Sequence, residues 1–294
     1  MAIKSVRDVV DAFNEGRFHV QRAIKTGASQ TGDGQWQDWS FTAGQPGYDA
    51  RVGTSGKFNP FVAQRNDAIY FPPIPSTMER RLAGFNLFSS ASGNDQVTVS
   101  YAMYDLLGVY PLIDGDSAEL VEMDNTETLP RYVTGDGVYA ILVCHVSPTL
   151  ATGSGTMVYT SCDGSEKTTT FGIRNTGVNK ACGSISVASA TDANLFIPLA
   201  SGCRGVRSVK SIQLSGTSSG LFSLYLVKPV LFHTNTSGIT GVNVKQWGTY
   251  CACTTGGYKL PKIEDGAWLG LFYMPQGGAR TVSNLHGEFT FIWG

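Results

Sequence analysis

Charge is what this chain has least of. Only 15% of its 294 residues are Asp, Glu, Lys or Arg, against about 25% in an ordinary soluble protein. The formal net charge is -1, and no basic stripe runs through the sequence. That excludes the electrostatic footprint of a nucleic-acid binder or of a protein held to an anionic membrane. Long apolar runs are missing too, since nothing approaches the roughly eighteen uninterrupted residues of a membrane-spanning helix. The opening MAIKSVRDVV lacks the apolar run of a signal peptide. The expectation is a protein made in the cytoplasm, with neither nucleic acid nor membrane as partner.

Catalytic and metal-binding signatures are equally scarce. The four histidines (His19, His145, His233, His286) are scattered through different segments, and none sits in a metal spacing. No Gly-x-Ser-x-Gly elbow or phosphate loop occurs. Cys144 and His145 are adjacent, which on a strand sends them to opposite faces. Six cysteines include the close pair Cys251 and Cys253, but a tetrahedral zinc site commonly needs two such pairs. Reduced strand cysteines and no metal or other cofactor are expected. The densest acidic run, IDGDSAELVEMD (113–124), holds Asp114, Asp116, Glu119, Glu122 and Asp124. It lacks the spacing of a calcium loop and reads as a solvated acidic loop. A glycosidase would need two facing carboxylates, and nothing marks such a pair out. No catalytic residue is assigned, and the chain reads as a non-enzyme.

Hydrophobic residues make up 42% and Gly counts 35, enough for a sizeable core and many turns. Short runs with period-2 alternation, separated by Gly, Ser, Asn and Asp, argue for an all-β sandwich or barrel. The runs also come twice. LPRYVTGDGVYAILV (129–143) matches LPKIEDGAWLGLF (260–272), each with Leu-Pro-basic, an Asp-Gly turn and then Tyr139 or Trp268 leading an apolar strand. RLAGFNLFSS (81–90) matches SVKSIQLSGT (208–217), QVTVSYAMY (96–104) matches LFSLYLVKP (221–229), and GTMVYTS (155–161) matches GEFTFIW (287–293). A repeat this long signals tandem domains rather than a solenoid. The expectation is two jelly-roll-like sandwiches, 31–163 and 164–294, behind an N-terminal segment 1–30.

That segment opens with SVRDVVDAFNEGRF (5–18), the one clear helical pattern. Val6, Val9, Val10 and Phe13 fall at i, i+3, i+4 and i+7 on one face. Ser5 is a natural N-cap with Asp8 three places on, and Gly16 suits the helix stop. KTGASQTGDG (25–34) has the composition of a flexible tether. A helix this short is marginal alone, so its stripe must be covered, either by its own domain or by another subunit. The second reading makes Val6, Val9, Val10 and Phe13 docking residues. Trp36 and Trp39 in QWQDWSF (35–41) are either core or, if exposed, a platform for a sugar.

The stretch SVRDVVDAFNEGRFHVQRAIKTG followed by WQDWSFTAGQPGYDARVG, with GVRSVKSIQLSGTSSGLFSLYLVKPVLF and GAWLGLFYMPQGG nearer the C-terminus, resembles virion structural proteins of tailed bacteriophages, those of head decoration, vertex or neck. The resemblance implies sandwich domains, self-association (often as homotrimers), attachment to a capsid or connector and residence in the virion. It brings no catalytic residues. The alternative reading is a receptor- or carbohydrate-binding module on such a particle, with a host-surface glycan as its partner.

Overall fold

The computed structural model describes residues 3–26, 30–31, 36–41, 43–45, 47, 53–63, 68–91, 98–146, 152–174, 187–188, 195–215, 220–235, 246–252, 260–276 and 280–294. One helix, α1 (Val6–Asn14), precedes twelve principal strands. In chain order these are β1 (Phe18–Thr26), β2 (Arg80–Ala91), β3 (Thr98–Asp114), β4 (Leu120–Glu122), β5 (Tyr139–Val146) and β6 (Thr152–Ser161). They continue as β7 (Glu166–Arg174), β8 (Val206–Leu214), β9 (Leu221–Asn235), β10 (Gln246–Ala252), β11 (Leu269–Gln276) and β12 (Arg280–Trp293). The fold is all-β, as the alternating runs require.

Among the described residues three antiparallel sheets form. The first runs β10-β2-β12-β1, with Ala43–Gln45 against the outer edge of β1. The second runs β7-β6-β8-β4. Between them in composition lies a middle sheet, Gln37–Asp38 followed by β11-β3-β9-β5. Side-chain alternation makes this middle sheet the shared wall of two cores. Tyr101 and Met103 of β3 join the core of the first sheet, whereas Ala102 and Tyr104 join that of the second. Strand β5 is buried over six successive residues, Ala140 to His145, which is why its sequence reads as a continuous apolar run instead of an alternating one.

The expected division into 31–163 and 164–294 is corrected by the strand pairing. Matching elements keep their order along the chain, β2 with β8, β3 with β9, β5 with β11 and β6 with β12. The two matching segments, however, give their strands to one another. β2 pairs with β12, and β8 pairs with β6. β3 lies between β9 and β11. The middle sheet therefore reads second copy, first copy, second copy, first copy, and a cut at residue 163 would divide every sheet. The Asp-Gly turns before β5 and β11 do appear twice, with Gly137 at φ +68° and Gly266 at φ +71°, a region glycine enters without strain.

The N-terminal segment is also corrected. Residues expected as part of a tethered arm form β1, which pairs with β12 over nine residues from Phe18–Ile292 to Thr26–Asn284. Gln30–Thr31 pairs further along β12. The helix itself is as the sequence indicates. The Ser5 hydroxyl accepts from the Asp8 amide at 3.2 Å, and the Asp8 carboxylate accepts from the Ser5 amide at 2.8 Å, a reciprocal capping box. The helix ends before Gly16, which has φ +70°.

Candidate functional site

Helix α1 lies on the outside of the first sheet, and what it buries is not the stripe read from the sequence. Ala12 is fully buried against Leu260 and Ile292, with Ile3, Val9 and Ala83 at the margin. Arg17 ties the helix exit to the last strand, donating from Nη1 to the Trp293 carbonyl at 2.6 Å. Of the four docking residues expected, Val9 is half-buried on the sheet side. Val6, Val10 and Phe13 point outward at 71%, 50% and 40% exposure. The helix thus packs on its own domain through one edge and leaves an apolar stripe uncovered.

Strand β1 extends that stripe. Phe18, Val20, Arg22 and Ile24 share one face, opposite the buried Ala23 and Lys25. The Phe13 and Phe18 rings meet at 5.3 Å. Phe18, Val20 and Ile24 are each at least 40% exposed. Six of the eleven exposed large apolar side chains among the described residues therefore fall between Val6 and Ile24. Isolated exposed apolar residues need no explanation, but a cluster marks an interaction surface. Beside it, among the described residues, the outer edge of β1 is paired only at Ile24–Thr26. Among the described residues, Phe18 to Ala23 present an open strand edge. Sequence reasoning missed Phe18, Val20 and Ile24, although the period-2 alternation in FHVQRAIK carried the signal.

The aromatic platform is corrected. Trp39 is 1% exposed and packs edge-on against Phe289 at 6.2 Å. Trp36 is half-buried against the core of the second sheet. Trp39 is thus sealed in the first core and offers no ring face for a sugar.

Buried polar groups are clamped rather than poised for chemistry. Asp105, near the middle of β3, takes Nε and Nη2 of Arg131 at 2.9 and 2.7 Å and the Trp268 amide at 2.9 Å. Arg131 also donates to the carbonyls of Phe61 and Leu106. Burial pushes the Asp105 carboxyl upward, against the pull of the guanidinium. In the first core, burial drives the Lys25 amine down to about 8, opposed by the Asp38 carboxylate. Burial likewise pushes Asp38 up, opposed by hydrogen bonds from Ser40 and from the Tyr104 hydroxyl at 3.0 Å. His145 Nε2 lies 2.6 Å from Ser223 Oγ, a distance suited to a nucleophile and its base. Ser223 is completely buried and His145 is 5% exposed.

The acidic residues Asp114, Asp116, Glu119, Glu122 and Asp124 are all exposed, as a solvated run should be. No group of three or more metal-binding side chains occurs among the described residues. Cys162 and Cys203 are free thiols, and the Cys144 thiol donates to the Val146 carbonyl at 3.1 Å. Cys182 and Cys253 lie outside the described residues, as does the Cys251 side chain. No helix among the described residues is long and apolar enough to cross a membrane.

No family model matches the chain, and no curated protein does. Among solved structures, it is similar over 94% of its length to the VP2 subviral particle of infectious bursal disease virus, covering 80% of that chain at 11% identity and a TM-score of 0.20. T=1 particles derived from the same virus match with 94% and 77% coverage, 11% identity and a TM-score of 0.19. Superposition this loose carries no argument for what the chain does.

Proposed function

We propose that the chain is a non-enzymatic structural component of a virus particle. It associates with itself and docks on the particle through the outer face of α1 and β1. The observation that carries this reading is the concentration of Val6, Val10, Phe13, Phe18, Val20 and Ile24 on one surface beside an open strand edge. Burying such a side chain from full exposure contributes about 1.5–3 kcal/mol, and these are already about half-covered, so each gains roughly half of that. Six together supply a gross several kcal/mol toward the cost of association. Low charge fits a protein whose work is contact rather than catalysis. The finer reading is a tailed-bacteriophage decoration or knob protein on the capsid or neck, assembled as a homotrimer. It rests on the sequence resemblance.

Quantitative mass spectrometry of purified particles from the source virus tests the proposal. A fixed number of copies per major capsid protein, retained through density-gradient purification, is the expected result. Absence from particles, with the chain found free in infected cells, would overturn it.

A further inference from the structure

A cavity of about 210 Å³ opens on the second core. Its inner wall is Phe58, Tyr110, Leu129 and Leu226, and its mouth carries Glu127, Thr128, Val133 and Arg207. We propose that it binds a small zwitterion with one aromatic ring, such as a free aromatic amino acid.

The volume sets the size. A cavity of about 150 Å³ already accepts benzene, so this one has room for a single ring and a short substituent. The inner wall sets the chemistry of the ring. Apart from the Ser208 hydroxyl, its polar atoms belong to Tyr110 and Asn125, which are committed to each other and to the backbone. The Tyr110 hydroxyl donates to Asn125 Oδ1 at 2.6 Å and accepts from the Val209 amide at 3.1 Å. Asn125 Nδ2 donates to the carbonyls of Met123 and Val209 at 3.0 and 2.7 Å. A sugar ring entering here would exchange water for groups with little left to offer, whereas an aromatic ring gives up little. The mouth sets the substituents. Arg207 and Glu127 are both exposed, and among the described residues neither has an ion-pair partner. One can take a carboxylate through its planar fork, and the other can take an ammonium.

The test is a titration of the full chain, followed by carbon-13 methyl NMR. The probes are L-phenylalanine, phenylacetate, phenethylamine and methyl α-glucoside. L-Phenylalanine is expected to shift the Leu129, Val133 and Leu226 methyls saturably in the millimolar range, as suits a ligand of few atoms. Phenylacetate and phenethylamine, each lacking one charge, should bind about tenfold more weakly. Arg207→Gln should cost L-phenylalanine about tenfold while leaving phenethylamine unchanged, and Glu127→Gln should spare phenylacetate instead. Both positions are exposed, so unchanged melting temperatures verify that the variants fold. No saturable shift at these methyls would overturn the proposal. So would equal affinity for all three aromatic probes, tighter binding of the glucoside, or indifference to both substitutions.

Discussion

Arg131 and Lys262 occupy the same place in matching segments, Leu-Pro-Arg and Leu-Pro-Lys, and the molecule treats them in opposite ways. Arg131 is 8% exposed and clasps Asp105 with two donors, while a further pair of bonds reaches the Phe61 and Leu106 carbonyls. Lys262 is exposed and meets only Glu264 at 3.1 Å and Glu79 at 3.8 Å. The chemistry of the two side chains fits their places. A planar guanidinium can satisfy a buried carboxylate and two carbonyls at once, whereas an ammonium is a strongly hydrated point charge suited to the surface. The two segments read alike in sequence, and burial is what separates the clamp from the surface pair. Lys25 is a third case, an ammonium in the first core, where burial depresses its pKa instead of being repaid by a fork of donors.

Removing the clamp should have the largest effect on stability. Arg131→Ala leaves the Asp105 carboxylate buried without its main partner and should cost about 3–5 kcal/mol in a urea titration. Arg131→Lys should recover only part of that loss, because one ammonium cannot reproduce the fork. Full recovery would mean that charge alone, and not geometry, distinguishes the two copies.

Lys25 should reveal itself through pH. The unfolded side chain holds its proton up to about 10.5, whereas the folded one releases it near 8. Between those values the unfolded state binds more protons, so stability rises with pH across that window, and the burial penalty is fully present below it. Lys25→Met should flatten the rise in melting temperature between about pH 8 and 10. An unchanged slope would place the titration elsewhere. Lys262→Ala marks the small end of the scale, within about 0.5 kcal/mol of wild type by the same urea titration, as for other surface ion pairs.

The sequence disclosed the strands but not their partners, and the reason is physical. Alternation in RLAGFNLFSS or GEFTFIW specifies a half-buried strand. It reads the same whether β2 pairs within its own copy or with β12, almost 200 residues away. Long-range pairing is decided by how whole sheets close, which no local pattern records. The helix was legible because its cap and period are local. Its orientation was not, since Ala12, a small residue, makes the close contact with Ile292 while the larger valines are left outside. The Leu-Pro-Arg segment was visible as a motif. Its partner Asp105 lies 26 residues earlier in a strand with no mark of its own. Half-alternating spacing in QWQDWSF favours the core for two of its three aromatics without saying which, and the packing of Phe289 makes Trp39 one of them.

The outer face of α1 and β1 is the opposite extreme from the clamp, for it should contribute almost nothing to the stability of the free chain and everything to assembly. Sedimentation velocity of wild type beside a Val6→Asp/Val10→Asp/Phe13→Asp variant, with melting temperatures taken on the same samples, tests this most directly. Wild type should sediment as an oligomer. The variant should sediment as a monomer with a melting temperature within a few degrees of wild type, because charges on an exposed stripe disturb only what would cover it. A monomeric wild type, or a variant that still assembles, would contradict the account.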